Sequence, residues 1–197
     1  MSENETKQQN SESSTQTPPP AERRLHLGGK DVKEGWEILN IQDAEGVDHV
    51  GDATDLSRFE DNTFTELYAS HIAEHLDYTG QLQAALQEWF RVLQPGGKLY
   101  LAVPDLEMLA KILLAKDQTT LEQRMHVIRM IFGGHVDPYD YHVMGFTQEL
   151  LAMYLSGVGF KNIIRTGRFG FFDRDASNIV FLGVPISLNV IAIKPAD

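Results

Sequence analysis

The stretch Phe64-Thr65-Glu66-Leu67-Tyr68-Ala69-Ser70-His71-Ile72-Ala73-Glu74-His75 decides the fold. Its first six residues read as a buried strand, and Ser70 to His75 follow at the carboxyl end. Downstream, Leu82, Ala85, Leu86, Trp89 and Leu93 recur at helical spacing. Leu93-Gln94-Pro95-Gly96-Gly97 breaks that helix, and Lys98-Leu99-Tyr100-Leu101-Ala102-Val103 reads as a second strand. A strand, helix and strand of this length form a crossover unit, so the two strands should be parallel. Ligands of open parallel sheets bind outside the carboxyl ends of strands. Ser70, His71, Glu74, His75, Pro104 and Asp105 therefore stand near the mouth of any site.

Outward from this unit, Arg24–Leu27, Glu37–Ile41 and Val47–Val50 read as short strands on the amino-terminal side. On the carboxyl side, Asp105 is placed to cap a helix with Leu106, Leu109 and Leu113 on its stripe. Thr119-Thr120-Leu121-Glu122 fits a capping box opening a helix that carries Leu121, Met125, Ile128 and Phe132. Gly133-Gly134 ends it. Thr147 caps a further helix through Leu150, Leu151, Tyr154 and Leu155. Phe160–Thr166 and Leu188–Ile193 read as the last strands, with no clear helix between them, which predicts an antiparallel hairpin at the sheet edge. Alternation of strands and helices gives an α/β class with helices on both sheet faces.

The 197 residues suit one domain, expected over residues 22–197 after a disordered polar tail at 1–21. That tail has almost nothing apolar to bury and lacks the apolar centre of a secretory signal, so a cytoplasmic location is expected. No run of about 18 apolar residues is present to span a bilayer. Without cysteine, disulfides and thiolate metal sites are excluded. The formal charge is −11, and no Lys/Arg cluster exceeds Arg23-Arg24. Nucleic acid is therefore not an expected partner, because phosphate neutralisation needs a basic face.

Gly28-Gly29 after an apolar strand reads either as a plain turn or as a loop that a ligand approaches closely. Gln42-Asp43, at the end of the next strand, suits ribose hydroxyls or a solvated strand end. Asp52 in Gly51-Asp52-Ala53-Thr54 suits an adenine amino group or an Asx turn.

Taken in order, Leu25-His26-Leu27-Gly28-Gly29, Gly51-Asp52-Ala53-Thr54-Asp55-Leu56, Tyr68-Ala69-Ser70-His71-Ile72-Ala73-Glu74-His75-Leu76, Arg91-Val92-Leu93-Gln94-Pro95-Gly96-Gly97-Lys98-Leu99 and Val103-Pro104-Asp105-Leu106 resemble the class I S-adenosylmethionine-dependent methyltransferases. The nearest resemblance is to small bacterial predicted methyltransferases linked to surface-polysaccharide synthesis. It implies a Rossmann-like, mostly parallel seven-stranded sheet with a C-terminal antiparallel hairpin. It implies S-adenosylmethionine as cofactor and a small molecule or glycan or nucleotide-sugar precursor as acceptor. Leu27, Gly28 and Gly29 would face the methionine part. Gln42 stands at the ribose position, and Asp52 and Ala53 match the adenine side. Ser70 and His71 would line the methyl-donor pocket. The glycine motif is shorter than the family's, and Gln42 replaces an acid. A non-catalytic binding protein on the same fold is the alternative.

The loop His135–Gly145 is dense in polar and aromatic residues. Methyl transfer needs donor and acceptor about 3 Å apart and a base for the acceptor's proton. His142 held by Asp140 is the base candidate, and His135 the second. Tyr139, Tyr141, Phe169, Phe171 and Phe172 suit stacking on an acceptor or closing the core. No metal is assigned. His71, Glu74 and His75 share a helical turn but lack the His-Glu-x-x-His order, and His135, Asp140 and His142 form the other candidate set.

Overall fold

The computed structural model describes residues 22–173 and 175–196. The polar tail expected at 1–21 lies outside the described residues. Among the described residues, nine strands and four α-helices follow in order. They are β1 Arg24–Leu27, β2 Glu37–Asn40, β3 His49–Val50, β4 Phe64–Ser70, α1 Gln81–Val92 and β5 Leu93–Pro104. Then come α2 Leu106–Leu114, α3 Leu121–Phe132, α4 Gln148–Val158, β6 Lys161–Thr166, β7 Val180–Phe181, β8 Val184–Pro185 and β9 Ser187–Ile193.

Seven strands make one sheet in the order β3-β2-β1-β4-β5-β9-β6. The first five are parallel, and β9 runs antiparallel to both β5 and β6. This is the α/β architecture predicted from the sequence, mostly parallel, with helices on both faces and an antiparallel closure. The closing pair places β6 at the edge and β9 inside it. A two-stranded hairpin, β7-β8, interrupts the connection between them.

The strands alternate their side chains between two faces. Leu25 and Leu27, Leu67 and Ala69, Leu99 and Leu101, and Leu188 and Val190 point to one face. There α1 contributes Leu82, Leu86 and Trp89, and α4 contributes Leu151 and Leu155, all buried. On the other face Tyr68 and Tyr100 meet Trp36 and the segment Phe169–Phe172. No helix links β1 to β2, so these aromatics cover the centre of that face.

Helix ends follow the local chemistry. Asp105 accepts from the Met108 N–H, and Thr147 from the Leu150 N–H, as expected of N-caps. The capping box of α3 sits one residue later than the sequence reading placed it. Thr120 accepts from the Gln123 N–H, and the Gln123 side chain accepts from the Thr120 N–H. The Thr119 hydroxyl instead donates to the Ala115 carbonyl and accepts from the Arg124 guanidinium. The apolar residues of α3 also behave differently from a core stripe: Leu121, Met125, Ile128 and Phe132 are exposed, and Val127 is the buried one. α3 packs against α2 and the β7-β8 hairpin through its Val127 side, which turns the other residues outward.

Trp89 joins the largest core to the site side of the sheet. It is fully buried, and its indole N–H donates to the Ala53 carbonyl at 2.8 Å. Trp89→Ala removes a large buried ring and leaves that carbonyl unpaired. It is expected to cost about 3–5 kcal/mol, read as the shift in a urea unfolding curve.

Candidate active site

Strand β1 lies between β2 and β4, so the chain changes direction across the sheet there. Such a switch point opens a crevice at the carboxyl ends of the strands. A cavity of 410 Å³ occupies this place, lined by His26, Gly28, Gly29, Lys30, Asp31, Tyr68, Ser70, Phe172, Asp175 and Ala176. Its size falls in the range of small-molecule sites, about 300–1,000 Å³.

The glycine turn is held from below. The Gly28 N–H donates to the Leu39 carbonyl, and the Asn40 amide donates to the carbonyls of Gly28 and Gly29. Gly28 has a positive φ of 70°, which other residues adopt only with strain. A Cβ on Gly28 would meet Ile72 Cδ1 at 2.2 Å, and one on Gly29 would meet His26 Nδ1 at 2.4 Å. Gly28 is thus favoured by its positive φ and Gly29 by the His26 ring packed against it.

The polar wall of the cavity comes from opposite ends of the chain. Ser70 donates to Asp175 Oδ1 at 3.2 Å, and the Ser177 N–H donates to the same oxygen at 2.8 Å. Asp175 Oδ2 and His26 Nδ1 are buried without a hydrogen-bond partner. Buried polar atoms of this kind normally have one, so they mark where a ligand's polar groups would fit. Burial, with the nearby Asp175 carboxylate, raises the Tyr68 hydroxyl above its ordinary range. The His26 ring packs against Tyr68 and Phe172 at centroid distances of 4.9 and 4.3 Å.

The other residues singled out from the sequence are spread around this cavity. Leu27 is core and backs the turn. Gln42 is exposed beyond β2, with its N–H donating to the Asn40 side chain. Asp52 closes an Asx turn onto Thr54, and the Ala53 carbonyl is taken by Trp89. His71, with φ of 56°, hydrogen-bonds Ser187 through Nε2 at 3.1 Å and lies 3.0 Å from Glu74 Oε1 through Nδ1. Ser187 in turn donates to the Ala176 carbonyl of the cavity wall.

The loop after α3 does not assemble as its sequence suggests. His142 Nδ1 donates to the Met130 carbonyl, and Asp140 accepts from the Val136 N–H. No hydrogen bond joins His142 to Asp140 among the described residues. The Val136 N–H holds the Asp140 carboxyl below its usual range, and burial lowers the His142 imidazole. His135 is exposed, stacked on Tyr141, with Nε2 at the Phe132 carbonyl. What the loop does bring together is His142 with Glu74 and His75, two residues from the turn after β4 and one from the loop itself. Tyr139 and Tyr141 are exposed, whereas Phe169, Phe171 and Phe172 close over Tyr68 and Tyr100.

Sequence reasoning missed His26, Asn40 and Asp175. His26 and Asn40 stand on apolar strands, where a lone polar residue was the available signal. Asp175 had none, because it reaches Ser70 from 105 residues away.

Burial pushes the His26 imidazole down to about 4, against the opposing pull of the Asp175 and Asp31 carboxylates. The unfolded chain, with an ordinary value near 6.5, therefore binds more protons than the folded one between these limits. The contribution is fully present above about pH 6.5 and is lost as pH falls toward 4, up to about 3 kcal/mol. Unfolding by urea across this range should show a flatter pH dependence for His26→Phe than for the wild type by about that amount.

The profile of the methyltransferase domain family matches residues 30–101. No curated protein matches the chain in sequence. Among solved structures, a SAM-dependent methyltransferase from Archaeoglobus fulgidus superposes with a TM-score of 0.56 at 17% identity, over 89% of this chain and 87% of that one. The YcgJ protein from Bacillus subtilis gives 0.51 at 15% identity over 89% and 93%. Human N-acetylserotonin methyltransferase, solved in complex with SAM, gives 0.51 at 14% identity over 87% and 47%. With its strand order, its inserted antiparallel strand and its crevice beside β1, the chain has the fold of the class I S-adenosylmethionine-dependent methyltransferases.

Proposed function

We propose that this chain transfers a methyl group from S-adenosylmethionine to a small molecule, with the methionine end of the cofactor in the cavity beside β1. The observation that carries this reading is the cavity itself, set at the switch point and walled by Gly28, Gly29, Ser70 and an unpartnered Asp175 oxygen. The cofactor supplies an electrophilic methyl group on a sulfonium. The chain's own residues bind and orient. Asn40 fixes the glycine turn so that backbone approaches the ligand, and Ser70 holds the Asp175 carboxylate toward Tyr68. Gln42, Asp52 and Ala53, at the ends of β2 and β3, are assigned the nucleoside half, and Leu27 backs the turn. His71, bonded to Ser187, positions the end of β4.

For the acceptor's proton, Asp175 Oδ2 suits the task better than His142, Asp140 or His135. It lies in the cavity wall without a hydrogen-bond partner, whereas those three are engaged within or beside their own loop. A glycan or nucleotide-sugar precursor is the acceptor class we favour, because the Phe172 ring edges the cavity beside its polar wall, as suits a sugar. The link to surface-polysaccharide synthesis rests on the sequence resemblance alone.

A second reading, a non-catalytic binding protein, is favoured by one observation: Ile72 and His26 already occupy the space beside the two glycines. Calorimetric titration with S-adenosylhomocysteine separates the readings. Methyl transfer predicts saturable binding, and turnover of sugar nucleotides in the presence of S-adenosylmethionine that Asp175→Asn lowers about a hundredfold or more by removing the base. Binding without turnover favours the second reading, and no heat on folded protein overturns both.

A further inference from the structure

Glu74, in the short 3-10 turn Ala73–His75 after β4, is fully buried. Neither of its carboxylate oxygens accepts an aligned hydrogen bond among the described residues. His71 Nδ1 lies 3.0 Å from Oε1, at ion-pair distance but off a hydrogen-bond line. A carboxylate removed from water without donors is among the least favourable groups a protein can bury.

Two imidazoles stand beside it. His75 follows Glu74 in the same turn, and His142 arrives from the loop after α3. One donor atom from each of the three residues lies within 4.8 Å of the other two. Both rings are oriented from behind. His75 Nδ1 is 3.0 Å from the Tyr141 carbonyl, and His142 Nδ1 is 3.0 Å from the Met130 carbonyl. A carbonyl only accepts, so each Nδ1 carries a proton. In the neutral ring Nε2 then keeps its lone pair, which is how outer-sphere carbonyls orient metal-binding histidines. The backbone fixes the meeting, since the N–H groups of Val143 and Met144 both donate to the Glu74 carbonyl, at 2.8 and 3.1 Å.

We propose that Glu74, His75 and His142 bind a divalent transition-metal ion of the zinc type. Two imidazoles and one carboxylate suit zinc and its neighbours rather than magnesium or calcium. Three protein ligands leave a coordination position open, and the two half-buried histidines give it access to solvent. The ion clamps the loop carrying His142 to the end of β4. This site stands independently of methyl transfer and is read without it.

The test uses the full chain, stripped with a chelator and dialysed. Zinc titration should show one tight equivalent, and cobalt(II) should give the visible absorption of a four- or five-coordinate ion. His75→Ala and His142→Ala should each weaken zinc binding at least tenfold, with folding checked by circular dichroism. Two results overturn the proposal: a folded wild type that takes up no stoichiometric zinc or cobalt, or both variants binding as the wild type does. The cobalt spectrum of the wild type decides the matter even where a variant fails to fold.

Discussion

Strand β1 is hydrogen-bonded on both sides, to β2 through Leu25, His26 and Leu27 and to β4 along its whole length. The chain must leave it in one direction and come back on the other. Two turns therefore diverge at its carboxyl end, Gly28-Gly29 bending toward β2 and Ser70-His71 bending toward α1. The cavity lies between them. Any ligand site in this fold depends on that gap, and so do the side chains that face it. Asn40 shapes one lip by bonding both glycine carbonyls. Ser70 shapes the other by bonding Asp175.

The missing helix between β1 and β2 has a second consequence. Tyr68, Tyr100 and Trp36 would be bare on that face of the sheet, a large aromatic surface in water. Segment 169–172 covers it, with Phe171 and Phe172 in contact with all or most of these rings. Burial of such rings is worth a few kcal/mol each. The cover is anchored further along, where Asn189, itself fully buried, donates to the carbonyls of Gly167 and Ser177. Asp175 lies between these anchors. Packing of the second face and placement of a carboxylate in the cavity are therefore one event.

Features set by local chemistry were legible in the sequence. The central crossover could be read because Leu82, Leu86 and Trp89 repeat at helical spacing, and the caps at Asp105 and Thr147 because their side chains act within three residues. The α3 cap was displaced by one position because Thr119 and Thr120 both fit the pattern, and the helix begins at Leu121, directly after Thr120. The exposed apolar residues of α3 were illegible because burial depends on what packs there. Gly28, Gly29 and Ser70 could be placed at the mouth of the sheet because they stand at strand ends, and they line the cavity. The pairing of His142 with Asp140 was inferred from adjacency, but the loop curls: Gly133 adopts a φ of 90°, and a Cβ there would meet the Asp140 carbonyl at 2.4 Å. That curl turns Asp140 inward to its own backbone and sends His142 toward Glu74.

The position of Glu74 is set by its backbone, since its carbonyl anchors two N–H groups of the returning loop. An apolar side chain would satisfy this arrangement, and Ala73 beside it is apolar and buried. Burying a carboxylate instead is costly unless positive charge accompanies it. His71 supplies one nearby ring, itself tied to Ser187 and so to the cavity wall. Two further rings, drawn from segments 67 positions apart, have their protonated nitrogens turned to backbone carbonyls contributed by Tyr141 and Met130. Two neutral imidazoles held so would present lone pairs, not protons, and would do nothing to offset the carboxylate. A cation shared among the three would turn each of these separately unfavourable placements into a ligand, and the link through His71 and Ser187 would tie its site to the crevice beside β1.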